Sequence, residues 1–94
     1  MSIYLTAIVK SKKETLAELR TMLLDMVVNS RRERACIQYD LHEAADKDTF
    51  IFQEEWEDQA GLDLHNNQLY LLDFVAQANR LTDEIVIYKT EKLA

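Results

Sequence analysis

The stretch from Cys36 to Phe74 constrains the fold more than any other part of the chain. Residues 36–43 alternate, with Ile37, Tyr39 and Leu41 on one side. Residues 50–56 alternate again, with Phe50, Phe52 and Trp56 on one face. A polar turn, Ala44 to Asp48, lies between them, and two period-2 runs joined by about five residues form a hairpin. Asp58 then stands where an N-cap is needed, ahead of a helix over residues 59–65. An antiparallel pair therefore runs straight into a helix. The same unit carries Tyr39, Trp56, His65, Asn66 and Tyr70. Aromatic rings beside a titratable imidazole suit a small pocket for an aromatic molecule, and they equally suit a filled core.

The flanking segments complete the pattern. Residues 2–10 alternate, with Ile3, Leu5, Ala7 and Val9 opposite Tyr4, Thr6 and Ile8, which reads as a strand with apolar residues on both faces. Ser11 and Glu14 match a capping box, which predicts a helix beginning at Ser11. Leu16, Leu19, Leu23, Met26 and Val27 recur at helical spacing as its buried stripe, and Arg31, Arg32 and Arg34 suit its C-terminal end. After Asn66 and Asn67 a further helix is predicted over 68–81. Leu69, Leu72, Val75 and Ala76 share one face of it, with Tyr70, Phe74 and Gln77 beside them. A last strand covers 84–90.

The order βαββααβ, closed with right-handed crossovers, predicts an α+β, ferredoxin-like split βαβ fold: a four-stranded antiparallel sheet with helices on one face. The whole of 1–94 forms one domain. Helices on one face cannot cover apolar residues on both. Tyr4, Ile8, Ile37, Tyr39, Leu41, Ile51, Val86 and Tyr88 are left over on one parity or the other. An exposed apolar sheet face associates, so a homodimer with sheets packed face to face is expected. At 94 residues folding buries only about 65% of the chain's surface, and dimerisation would add to that.

Composition narrows the function. A net charge of −6 opposes binding to nucleic acid or an anionic membrane surface. No apolar run is long enough to span a bilayer, and the start of the chain lacks the pattern of a signal peptide. A lone cysteine, Cys36, fits a reducing compartment, so a cytoplasmic location is expected. Gly61 is the only glycine, which leaves no Gly-rich phosphate loop. His42 and His65 are far apart with no cysteine cluster, a poor metal-ligand set. His42 falls on the parity of Asp40 and should be solvated. Glu54 shares the parity of Trp56, so an otherwise apolar face must give it a partner; it can pair with an arginine or lysine at a dimer interface, the favoured reading, or point into the pocket.

The segments CIQYDLHEAADKDTFIFQEEW, EDQAGLDLH and NNQLYLLDF, in this order of elements, resemble the antibiotic biosynthesis monooxygenase (ABM) family of small dimeric proteins. The resemblance extends over nearly the whole chain. It departs at Arg34-Ala35, where the family usually has a glycine. It departs again at Asn67-Gln68-Leu69-Tyr70, where a proline or second histidine is common. The haem-degrading branch is not matched, because the first strand offers Thr6 and Ala7 and the last helix Val75 and Ala76 without a histidine.

What the resemblance implies is oxygenation of a quinol or anthrone-like aromatic substrate by O₂ with no cofactor. His65 and Trp56 would be the catalytic residues, with His65 as base. Tyr39, Asn66 and Tyr70 would orient the substrate oxygen, while Phe52, Phe74 and Trp56 would wall the cage. From the residues alone, each of these side chains also has a structural role open to it. His65, next to a helix end that could raise its pKa, could be a hydrogen-bonded core histidine. A non-catalytic dimeric ligand-binding module, or an isomerase of a small oxygenated metabolite, would use the same pocket.

Overall fold

The computed structural model describes residues 1–94. The elements are β1 (Ile3–Ser11), a 3₁₀ turn (Lys13–Thr15), α1 (Leu16–Arg31), β2 (Cys36–Glu43), β3 (Thr49–Trp56), α2 (Gln59–Asn66), α3 (Leu69–Leu81) and β4 (Thr82–Thr90). The sheet order is β2-β3-β1-β4, with every neighbouring pair antiparallel. This is the expected α+β ferredoxin-like arrangement. The molecule is 18 Å across its short axis, the depth of one sheet and one layer of helices.

Several local rules hold as expected. Asp58 caps α2, its Oδ1 accepting from the Gly61 N–H at 2.7 Å. Leu19, Leu23, Met26 and Val27 are the buried stripe of α1, with Leu16 half-buried at its start. In the β2–β3 turn the Asp46 carboxylate accepts from the backbone N–H groups of Asp48 and Thr49 and from the Thr49 hydroxyl. That ring of bonds holds Lys47 at φ 68°, a left-handed conformation that side-chain-bearing residues adopt at a cost of about 1–2 kcal/mol.

Three expectations are corrected. The Ser11–Glu14 capping box does not form. Ser11 remains in β1, paired with Thr82, and its hydroxyl donates to the Lys12 carbonyl at 2.7 Å. The helix begins five residues later, where the Thr15 hydroxyl donates to the Leu81 carbonyl at 2.8 Å and ties the start of α1 to the end of α3. On β2, Cys36 pairs with Trp56 but Gln38 pairs with Glu55. Ile37 is therefore the extra residue of a bulge and is exposed, rather than sharing the face of Tyr39 and Leu41. Tyr39 and Leu41 sit on the helix-covered side, opposite Glu54 and Phe52.

The third correction concerns α3. Its core face is Leu71, Phe74, Ala78 and Leu81 with Tyr70 beside them, whereas Leu69, Leu72, Val75 and Ala76 are exposed. The helix carries two apolar stripes, and packing on the sheet chose the one that puts the Phe74 ring inward.

The core lies between the sheet and the helices, with Val9, Leu19, Leu23, Phe50, Trp56 and Leu81 at 1% exposure or less. The other face of the sheet has no helix. Across it run His42, Ile51, Ile8 and Val86 in one row and Asp40, Gln53, Thr6 and Tyr88 in the next.

Candidate active site

On the helix side the sheet and helices leave a cavity of about 310 Å³. Leu5, Ala7 and Val9 from β1, Phe52 from β3, and Ile85 and Ile87 from β4 form its floor. Leu71, Phe74, Val75 and Ala78 from α3 and Met26 from α1 form the roof. The remaining four lining residues are Tyr39, Glu54, His65 and Asn66. Small residues at positions 7 and 78 are what leave the space open, since larger side chains there would fill it. A largely apolar hollow with a few convergent polar groups is the usual form of a small-molecule site.

His65 comes to the cavity from the last turn of α2. Its Nδ1 lies 2.7 Å from Glu33 Oε2. Glu33 stands in the α1–β2 connection and also accepts from the Tyr70 hydroxyl. That hydroxyl is 3.1 Å from Ser30 Oγ and 3.3 Å from His65 Nδ1. A carboxylate on Nδ1 fixes the tautomer with the proton there and leaves Nε2 as the basic nitrogen. No buried side-chain nitrogen or oxygen goes without a hydrogen-bond partner. Nε2 makes no hydrogen bond within the chain, and His65 lines the cavity. Burial holds the imidazole below its ordinary pKa, and the Glu33 hydrogen bond opposes this only in part. His65 is therefore lowered by desolvation rather than raised as expected, and the ring is a neutral acceptor at neutral pH.

Trp56 is fully buried at the end of β3. Its ring lies against His65 with centroids 4.3 Å apart, and its Nε1–H donates to Glu54 Oε1 at 2.9 Å. It stands behind the cavity wall and acts by holding His65 and Glu54. Tyr39 packs at 5.3 Å from Phe52 and 5.6 Å from His65 between ring centroids. Burial, with the charge of Glu54, pushes its phenol pKa far up, so it keeps its proton. Asn66 is exposed at the cavity edge. Tyr70 does not reach this cavity. Its ring borders a separate groove between α1 and α3, and its hydroxyl serves Glu33.

The structure thus brings His65, Tyr39, Phe52, Asn66 and Phe74 to one hollow and places Trp56 and Tyr70 behind it. Two acidic residues join them. Glu54 has no cation partner within the chain; its hydrogen bond is the one from Trp56. Burial raises its carboxyl pKa to about 7, with the Trp56 hydrogen bond opposing the rise and the Glu33 charge adding to it. Its sequence signal is a carboxylate on an apolar parity. Glu33 had no such signal, because it lies in a charged run, Arg31 to Arg34, 32 residues from His65. Cys36 is half-buried, and burial raises its thiol to about 11, which makes it a poor nucleophile.

A sheet with helices on one face, enclosing an apolar hollow with an oriented imidazole, defines a small ligand-binding or catalytic α+β domain. Residues 2–77 match the family model described as antibiotic biosynthesis monooxygenase. The chain belongs to that family. It is 35% identical over 80 residues to the Bacillus subtilis (strain 168) protein "Putative monooxygenase YcnE", covering 84% of each chain. Among solved structures, PA3566 from Pseudomonas aeruginosa superposes with a TM-score of 0.93 at 31% identity, over 99% of this chain and 95% of that one. Rv0793 from Mycobacterium tuberculosis has the same fold, with a TM-score of 0.93 at 24% identity over 100% and 97%. No helix is long and apolar enough to cross a membrane.

Proposed function

We propose that the protein is a cofactor-independent monooxygenase of a quinol or anthrone-like aromatic substrate, working as a homodimer. The observation that carries this reading is His65: its Nδ1 is held by Glu33, its Nε2 is left without a partner in the chain, and the residue lines an apolar hollow. At about 310 Å³ the hollow stands at the small end of the range for small-molecule sites, about 300–1,000 Å³. It suits a compact planar ring system.

The chemical difficulty is that triplet O₂ reacts slowly with closed-shell molecules. For an anthrone-like substrate, His65 Nε2 takes a proton from the ring CH₂, leaving an electron-rich enolate. The enolate passes one electron to O₂, the resulting radical and superoxide join through a C–O bond, and the peroxide takes back the proton held on His65 to become a hydroperoxide. Loss of water then leaves a carbonyl: CH₂ and O₂ become C=O and H₂O. The protein supplies the base, a dry cage of Phe52, Phe74 and Leu71, and hydrogen bonds from Tyr39 and Asn66 to the developing oxyanion. Tyr70 and Ser30 act one step back, holding Glu33.

The dimer is supported by the uncovered sheet face, where Ile8, Ile51 and Val86 share one row and Tyr88 stands in the next. A phosphorylated metabolite is disfavoured as substrate, because no lysine or arginine lines the hollow.

Oxygen consumption with reduced quinols and anthrones tests the activity. His65→Ala should lower turnover by more than about tenfold, the size of effect that loss of a general base gives. Turnover unchanged in that variant removes the histidine from the mechanism.

A further inference from the structure

We propose that Glu54 is a second ligand-facing group of the hollow, and that with His65 it selects uncharged aromatic molecules bearing two separate hydroxyls, one donated to each residue. This deepens the substrate class given above and rests on the reading of the hollow as the substrate site.

Glu54 lies on β3 between Phe52 and Trp56, with its side chain on the helix-covered face. One oxygen, Oε1, is occupied by the Trp56 N–H at 2.9 Å. The other has no partner within the chain. Glu54 lines the hollow, and Oε2 is the oxygen left free to meet a ligand there. The groups around it come from every packed element. Tyr39 faces it from β2, His65 from α2, and Glu33 adds its charge from the α1–β2 connection. The β1, β4, α1 and α3 walls are apolar. No lysine or arginine lines the hollow, and none makes a salt bridge with the carboxylate.

A buried carboxylate with one oxygen unpartnered calls for a hydrogen-bond donor. His65 Nε2, the basic nitrogen of the neutral ring, calls for another. The site therefore presents two acceptors and, apart from Tyr39 and Asn66 at its edges, an apolar surface. A neutral hydroquinone supplies two O–H donors across one planar ring system. An aromatic acid would set its own carboxylate against Glu54 and be rejected.

The test is anaerobic titration calorimetry with naphthohydroquinone, its monomethyl ether and hydroxynaphthoic acid. Near pH 8 the wild type should bind the hydroquinone at least about tenfold tighter than the ether, the worth of one hydrogen bond to a charged acceptor. The acid should bind more weakly still. In Glu54→Gln the amide oxygen keeps the Trp56 N–H, so the NH₂ takes the place facing the hollow. Donor then meets donor, and the preference for the hydroquinone should fall below about threefold.

Between pH 8 and pH 5 the wild type, as Glu54 takes up its proton, should lose the same preference while Glu54→Gln changes little, which separates Glu54 from His65, whose protonation would act on both proteins alike. Fluorescence of Trp56, the only tryptophan, checks that the variant is folded. The proposal is overturned if both neutral ligands bind the wild type equally. It is also overturned if the preference survives in Glu54→Gln and near pH 5. If no ligand binds, the hollow is not the aromatic site and the proposal falls with that reading. Selective binding without oxygen consumption sinks the monooxygenase reading and leaves this one standing.

Discussion

Glu54→Gln should stabilise the protein at neutral pH and not in acid. The folded carboxyl titrates at about 7 against an ordinary value of 4.5. Below about pH 4.5 the folded and unfolded states both hold the proton, so the group has no effect on stability. As pH rises through the next units, the unfolded chain releases its proton and the folded protein retains it, so stability falls. The loss is complete once pH exceeds the folded value.

At about 1.4 kcal/mol per pKa unit, the full difference is about 3 kcal/mol. Glu54 is only 8% exposed, so solvent screening does little to reduce that figure. His65 works in the opposite sense. Burial lowers its imidazole, so the unfolded chain binds the extra proton and stability falls as pH drops below the ordinary histidine range. Comparing wild type with Glu54→Gln cancels that contribution, along with any fixed cost of the amide.

The assay is urea unfolding followed by Trp56 fluorescence, near pH 4 and near pH 8. Between the two, the midpoint of the variant should gain about 1–3 M urea relative to wild type, from about 3 kcal/mol and a slope of about 1–3 kcal/mol/M. A difference between the two proteins that stays constant with pH, to within about 0.5 kcal/mol, means that Glu54 is ionised in the folded state at ordinary cost. The burial argument would then be wrong.

Other expectations follow from single contacts. A methyl group on Gly61 would stand 2.3 Å from the Ala35 Cβ, so Gly61→Ala should cost about 1–3 kcal/mol by thermal melting. Adding Ala35→Gly should restore most of it; no recovery would mean that the clash is relieved elsewhere. Glu33→Gln should lower kcat by more than KM rises, and should change the acid limb of the pH profile, because the amide no longer holds His65 Nδ1–H against a charge. An unaltered profile would make Glu33 merely structural. Cys36, with its thiol raised to about 11, should react with iodoacetamide far more slowly at neutral pH than a free thiol; equal rates would place it in water.

Much of this molecule was legible in its pattern. Period-2 runs at both ends and in the middle, with helical spacing between them, carried the strand count, the element order and so the split βαβ sheet. The reason is that alternation decides which side of a strand is buried before any partner is known. Residue type and place marked His65, Tyr39, Phe52 and Phe74, because aromatic and imidazole side chains on the inward parity of adjoining elements must meet.

Other features were settled only by the packed structure. Helical period cannot choose between two apolar stripes, and contact with the sheet chose Leu71, Phe74 and Ala78 over Leu69, Leu72 and Val75. A bulge carries no periodic signal, so Ile37 left the face its parity assigned. The capping box failed because sheet pairing of Ser11 with Thr82 outcompeted a local cap. The bond between Glu33 and His65 spans a helix connection and two strands. No local rule links such residues; only the closed fold brings that carboxylate to the ring, and with it decides which nitrogen carries the proton and which is left basic.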